Sequence, residues 1–293
     1  VQGLRGVMPA GRGNRRILTV TGVQAGRGEP RWYRSLVPGS ASPGEDPQPR
    51  ATTFVVREGE TDIWVCCRPE LDAPRAAWLC SRRVRELRAA ILRYASRRPG
   101  FLTSLKPLPA DAGAPPVVRD MLAAGDAALV GPMAAVAGAI AEHVARFLQG
   151  SFGCTSVVVE NGGDVFALSP APLEIALLTI SSPLGGRLVL RTRPAPEGLA
   201  VCTSSGTAGP SRSFGRADAA TVLAAGGALA DALATAMGNR ISSAGDVEQA
   251  LTWLSGMAGA AGGLAVCDGH VGAWGQLEVL PAAGEGVTRS EGS

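Results

Sequence analysis

Apolar and polar residues alternate over Thr52–Arg57 and Thr61–Cys67, and Glu58-Gly59-Glu60 between them reads as a turn, so a β-hairpin is predicted there. From Ala73 to Arg98 the period lengthens: Trp78, Val84, Leu87, Ile91 and Tyr94 recur at helical spacing with arginines between, and Pro99-Gly100 stops the run. Phe101–Pro116 is a proline-punctuated connection. Val117–Ala124 predicts a short helix and Pro132–Leu148 a longer one, on which Ala134, Gly138 and Ala141 place small residues on one face. Short β runs follow at Thr155–Val159, Val165–Leu168, Leu173–Ile180, Gly186–Arg191, Leu199–Cys202 and Ala217–Leu223. Gly227–Met237 is helical, Ser242–Asp246 leads into a helix through Leu254, and Leu264–Cys267 with Val271–Val279 reads as a closing hairpin.

Strands in runs with helices between them predict an α+β fold of mixed or antiparallel sheets packed with helices. Residues 1–30 and 38–50, rich in Gly, Pro, Ser and Arg, read as a loose leader around a short ordered piece at Arg31-Trp32-Tyr33-Arg34. The expected organisation is a leader over 1–30, one domain over 31–280 and a flexible tail over 281–293.

The 293-residue chain has 46% hydrophobic and 18% charged residues, which is ordinary globular composition able to bury a core. A net charge of +3 concentrated in N-terminal arginines, without interleaved aromatics, argues against a nucleic-acid partner. The apolar stretch around Met133–Ile140 is too short to span a bilayer, and no secretory apolar region opens the chain, so no membrane partner and a cytoplasmic location are expected. The six cysteines form no C-x-x-C pair and sit in apolar runs, as buried free thiols do.

Three segments carry candidate chemistry. Glu160-Asn161-Gly162-Gly163-Asp164 ends a β run, where adjacent glycines permit positive φ and close approach of a ligand to the main chain. It reads equally as a plain hairpin turn. Thr203-Ser204-Ser205-Gly206 supplies hydroxyls and amides for a phosphate, or forms an ordinary polar loop. A nucleophilic serine at Ser204 or Ser205 would need a base, and His143 and His270 are not tied to this loop by sequence. Asp231 and Thr235, four residues apart, place two oxygens on one helix face among alanines and leucines. A buried carboxylate there suits Mg²⁺ or Ca²⁺, or serves as a cap.

In this order, Val130–Glu142, Glu160–Asp164, Thr203–Gly206, Ser213–Asp218 and Ala230–Ala236 resemble the ApbE-like superfamily of FAD:protein FMN transferases, most closely a branch of small cytoplasmic ApbE-like proteins. The resemblance implies an ApbE-type α+β fold and a pocket for FAD or a related nucleotide with Mg²⁺. It implies metal binding by Asp231 and Thr235, a flavin-binding region at Gly162, Gly163 and Asp164, and a pyrophosphate near the Thr-Ser-Gly loop. The chain departs from the transferases at Ala137, where they carry a lysine, and in Gly209–Gly215, which lacks their histidine. Two main readings follow. One is a Mg²⁺-dependent enzyme acting on a phosphoanhydride or phosphoester; the other is a nucleotide-binding protein without the transfer chemistry. A serine-type hydrolase is a third. The small-residue faces suit a homodimer.

Overall fold

The computed structural model describes residues 36–37, 50–177, 188–206 and 214–281. The leader over 1–30, the Arg31–Arg34 piece and nearly all of the tail lie outside them, although Pro281, assigned to the tail, ends a strand.

The strands are β1 (Leu36–Val37), β2 (Thr52–Glu58), β3 (Thr61–Arg68), β4 (Ser156–Asn161), β5 (Asp164–Ser169), β6 (Glu174–Leu177), β7 (Leu188–Arg191), β8 (Ala195–Ser204), β9 (Ala219–Ala224), β10 (Ala260–Cys267), β11 (His270–Gly275) and β12 (Glu278–Pro281). The helices are α1 (Ala73–Ala95), α2 (Pro116–Ala128), α3 (Val136–Phe152), α4 (Gly227–Gly238) and α5 (Val247–Ser255), with a 3₁₀ turn, Pro132–Ala135, leading into α3. Eight strands form one antiparallel sheet in the order β11-β10-β9-β8-β5-β4-β3-β2, and β1-β6-β7-β12 form a second. The α+β expectation is met.

Side-chain parity builds three layers. Val157 and Val159 of β4, Phe166 and Leu168 of β5, and Ala200 and Cys202 of β8 join the helices in one core cluster. Val158, Val165, Ala167 and Val201 point the other way and pack on Ile175, Leu177 and Leu190 of the small sheet. Strands buried on both faces lose their polar alternation, and β5 and β9 are buried at every position.

Three differences from the sequence pattern have physical causes. In α1 the buried stripe is Ala76, Cys80, Val84, Leu87 and Ile91; Trp78 lies off it, 58% exposed, with the Arg82 guanidinium over its ring. Helix α2 continues four residues beyond Ala124 and stops where Leu129 turns left-handed at φ 59°. The Val271–Val279 run is broken at Gly275 (φ 96°), so β11 pairs with β10 while β12 joins the second sheet beside β7. The predicted strands at Leu173–Ile180 and Gly186–Arg191 are partly observed, as β6 and β7; residues 178–187 lie outside the description. Among the described residues no single helix is long and apolar enough to cross a membrane.

Helix α4 is apolar nearly all round and buried nearly throughout, as such a helix must be. It passes α3 so closely that a Cβ on Gly138 would lie 2.2 Å from Gly227 O and 2.8 Å from Asp231 Cβ, and one on Gly227 would lie 2.2 Å from Gly138 O. Both obstacles are backbone or short side chain, so the helices must separate. Gly138→Ala is therefore expected to lower unfolding free energy by about 1–3 kcal/mol despite alanine's better helix propensity. Gly150→Ala, in the same helix with nothing within 4 Å of the added methyl, should be neutral or stabilise by up to about 1 kcal/mol. Urea denaturation of the two variants checks this; equal effects would remove the close contact as the cause.

Candidate functional site

The turn between β4 and β5 contains only Gly162 and Gly163, at φ 65° and 107°, and Asn161 pairs across it with Asp164. Two successive positive φ angles demand glycine, as in the tightest hairpins. A Cβ at Gly162 would meet nothing within 4 Å, so conformation and not crowding selects glycine there. Glu160 Oε1 accepts from Gly163 N at 2.9 Å and braces the turn. This segment is thus a hairpin turn, and it also carries a buried carboxylate inward.

Parity divides the predicted site residues. Asn161 and Asp164 share the helix-facing side with Val159 and Phe166, as Ser204 does with Cys202. Asn161 Nδ2 donates to Ala137 O at 3.0 Å, tying the hairpin to the start of α3. Glu160 and Thr203 face the small sheet, where Thr203 Oγ1 meets Thr221 Oγ1 at 2.9 Å. Thr203 reaches the helix side only through its main chain, donating N–H to Asp164 Oδ1 at 3.2 Å. The segments expected to form one pocket are therefore brought together, but not all of their side chains.

Asp231 caps a helix, though not its own. Its Oδ2 accepts from Gly138 N at 2.9 Å, in the first turn of α3, whose preceding residue Ala135 offers no side-chain cap. Reciprocally, Glu142 of α3 accepts Gly227 N on Oε2 at 2.7 Å, at the start of α4, where Gly226 has no side chain to offer. Arg146 Nε donates to Glu142 Oε1 at 2.8 Å. Glu142 was not among the residues singled out by sequence. The signal was present: Gly138 and Glu142, like Gly227 and Asp231, stand four residues apart, so each acid rises one turn above the glycine that makes the contact.

Burial dominates the electrostatics. It pushes the Asp231 carboxyl up to about 7, against the pull of the Gly138 and Ala137 amides. It also holds Asp164 well above the usual carboxylate range, with the Asp231 charge adding to the effect and the Cys202 thiol and Thr203 amide opposing it. Cys202 is kept a neutral thiol by burial and by both aspartates. Among the described residues no Arg or Lys hydrogen-bonds or ion-pairs with either aspartate. Two buried carboxylates without a counter-cation hold a proton at neutral pH or bind a cation.

Ser204 is 4% exposed, and its Oγ has no hydrogen-bond partner among the described residues. Its position follows from its neighbours. Cys202 Sγ reaches Gly227 O at 3.7 Å, at the start of the helix. Gly206 is pressed on Gly215, which is pressed on Gly238 at its end, with added Cβ atoms 2.0 Å from Gly215 O and Gly238 O respectively. Ser204 lies between Cys202 and Gly206 along the chain, on the face of β8 turned to the helices. Thr235 is half-buried one turn beyond Asp231 on the same face of α4. Neither histidine serves Ser204 as a base: His143 Nε2 is 2.7 Å from Asp120 Oδ2, and His270 stands opposite Cys267 on β10.

The donor chemistry at this place, hard carboxylate and hydroxyl oxygens without a basic partner, fits Mg²⁺. Among the described residues no three His, Cys, Asp or Glu side chains converge as a metal cluster. A metal at Asp231 and Thr235 would thus draw its remaining oxygens from the main chain, water or a ligand.

Comparison with known proteins agrees with this architecture. Residues 46–252 match the family model described as AbpE bacteria. A UPF0280 protein of Methanosphaerula palustris is 39% identical over 191 residues, covering 65% of this chain and 78% of its own. A UPF0280 protein of Methanocella arvoryzae is 37% identical over 205 residues, covering 70% and 83%. Among solved structures, the flavin transferase ApbE from Vibrio cholerae superposes with a TM-score of 0.52 at 14% identity, over 80% of this chain and 97% of that one, which is a likeness of fold. With the model match spanning most of its length and UPF0280 relatives at this identity, the chain belongs to the AbpE bacteria family.

Proposed function

We propose that this protein binds a flavin or related nucleotide together with Mg²⁺ at the junction of α3, α4 and the β4–β5 turn. The observation that carries the reading is the pair of buried carboxylates, Asp164 and Asp231, with no basic side chain on either among the described residues. Asp231 and Thr235 hold the metal, and Asp164 adds negative charge beside it. Ser204 Oγ, which has no hydrogen-bond partner among the described residues, would donate to a phosphate oxygen, with the Thr203–Gly206 segment around it. Gly162 leaves the outer edge of the turn open. Mg²⁺ held by Asp231 and Thr235 would supply positive charge to a pyrophosphate bound there. The flavin transferase named among the solved structures makes FAD the first ligand to try.

A non-catalytic reading is favoured by Ala137. Its methyl stands where the transferases carry a lysine, and its carbonyl is occupied by Asn161, so this turn of α3 supplies no side-chain cation to a leaving phosphate. Release of AMP from FAD with Mg²⁺ separates the two: turnover abolished by Asp231→Ala establishes the enzyme, and binding without AMP establishes the binding protein.

Two outcomes are expected from stability measurements. FAD with Mg²⁺ should raise the melting temperature of the wild type, and Asp231→Asn should remove the Mg²⁺-dependent part. No shift with FAD or any other phosphorylated ligand, metal present, would sink the proposal. The second concerns pH. Asp231 titrates near 3.9 when unfolded and about 7 when folded. Between those values the unfolded chain gives up the proton that the folded one keeps. Its stabilising share is therefore full below pH 4 and lost as pH rises through 7, at up to about 1.4 kcal/mol per pH unit. Metal-free wild type should weaken over that window more steeply than Asp231→Asn in urea titrations, and Mg²⁺ should flatten its profile. Asp164 acts in the same direction and leaves the variant a residual slope.

A further inference from the structure

Phe214 is the most exposed large hydrophobic side chain among the described residues, at 76%. Its backbone is nonetheless firmly held. Phe214 N donates to Asn239 Oδ1 at 2.7 Å, and Arg216 N donates to Ile241 O at 2.7 Å. Between them Gly215 is pressed against the end of α4: a Cβ there would lie 2.0 Å from Gly238 O and 2.5 Å from Ile241 O. The backbone at the root of the ring is thus fixed, while the ring itself is open to solvent and free to take a flat partner.

Its position gives it a partner chemistry. Asn239 keeps helical dihedrals (φ −63°, ψ −18°) and so continues the row of Asp231 and Thr235 at intervals of four residues along one face of α4. That row spans about 12 Å at the helical rise of 1.5 Å per residue. A buried carboxylate stands at one end and a half-buried hydroxyl at its middle, and the clamped backbone of an exposed aromatic residue sits at the other end. A ligand with charged phosphates at one end and a planar ring at the other matches this sequence of groups.

We infer that Phe214 is a stacking platform for the planar heteroaromatic ring of the nucleotide, with the charged end lying at Asp231 and Thr235. The inference rests on the nucleotide reading above. Stacking on a π-face tolerates many rings, so Phe214 contributes affinity for a flavin or a purine without selecting between them.

The test compares wild type, Phe214→Leu and Phe214→Tyr, each with Mg²⁺, titrated with FAD, FMN, ADP and inorganic pyrophosphate. Phe214→Leu should weaken FAD roughly tenfold, while Phe214→Tyr retains the affinity. Pyrophosphate, which has no ring, should bind all three alike. Loss shared by FMN places the flavin on Phe214, and loss shared by ADP places the adenine there. Unchanged FAD affinity in Phe214→Leu, or an equal loss for pyrophosphate, overturns the inference and leaves the metal site standing. Wild type that binds pyrophosphate but none of the ring-bearing ligands overturns it alone. Wild type that binds nothing overturns both readings.

Discussion

The close passage of α3 and α4 at Gly138 and Gly227 governs the rest of the structure. Neither helix brings a cap of its own, because Ala135 and Gly226 precede them. Helix N-termini leave amides that must be satisfied, and inside a protein no water is at hand to do it. Each helix meets the need with an acid one turn above its glycine: Asp231 for α3, Glu142 for α4. The two glycines allow the approach, and the approach allows the exchange. A side chain at either glycine would separate both acids from their amides together.

The same arrangement explains how a carboxylate is kept in so dry a place. The partial positive charge of a helix start favours an anion, while burial opposes it. For Asp231 burial outweighs the amides that pull the other way, which leaves the group titrating about neutrality. Asp164, delivered from the opposite side by the β4–β5 turn, has weaker compensation from a thiol and an amide, and it feels the charge of Asp231 as well. The result is a concentrated demand for positive charge that no described side chain meets.

Much of the architecture was legible in the sequence, because period-two and period-3.6 patterns arise from local backbone geometry. The hairpin at Thr52–Arg68, the short strands and the helix at Gly227 follow directly from them. What was hidden depends on distant partners. Trp78 fits an apolar rhythm, yet the face of α1 that packs was settled by Ala76 and Cys80, whose small size makes them quiet in the sequence. Val271–Val279 looks continuous until a positive φ at Gly275 sends its end to another sheet. Within the site, the segments were recognisable but their side-chain directions were not. Glu160 and Asn161 are neighbours that face opposite layers, and parity can be assigned only once the layers are known. Glu142 passed unnoticed because an acid on a helix usually faces water.

The large sheet is not laid down in chain order. Strand β5 is followed along the chain by β6 and β7, which leave for the second sheet, and it pairs instead with β8. The seam between them is closed by a contact spanning 39 residues, Asp164 with Thr203, and the helix pair by one spanning 93, Gly138 with Asp231. Such contacts reward the chain only after large loops have closed, whereas the β2–β3, β4–β5 and β10–β11 hairpins form from neighbours. The candidate pocket straddles these long closures. No single hairpin or helix holds all of its donors: Asp231 and Thr235 stand on α4, Asp164 on β5 and Ser204 on β8, so a half-assembled chain would hold only part of the site. Occupancy of this pocket would then act as a lock on the final step of assembly, drawing its leverage from the connectivity of the sheet.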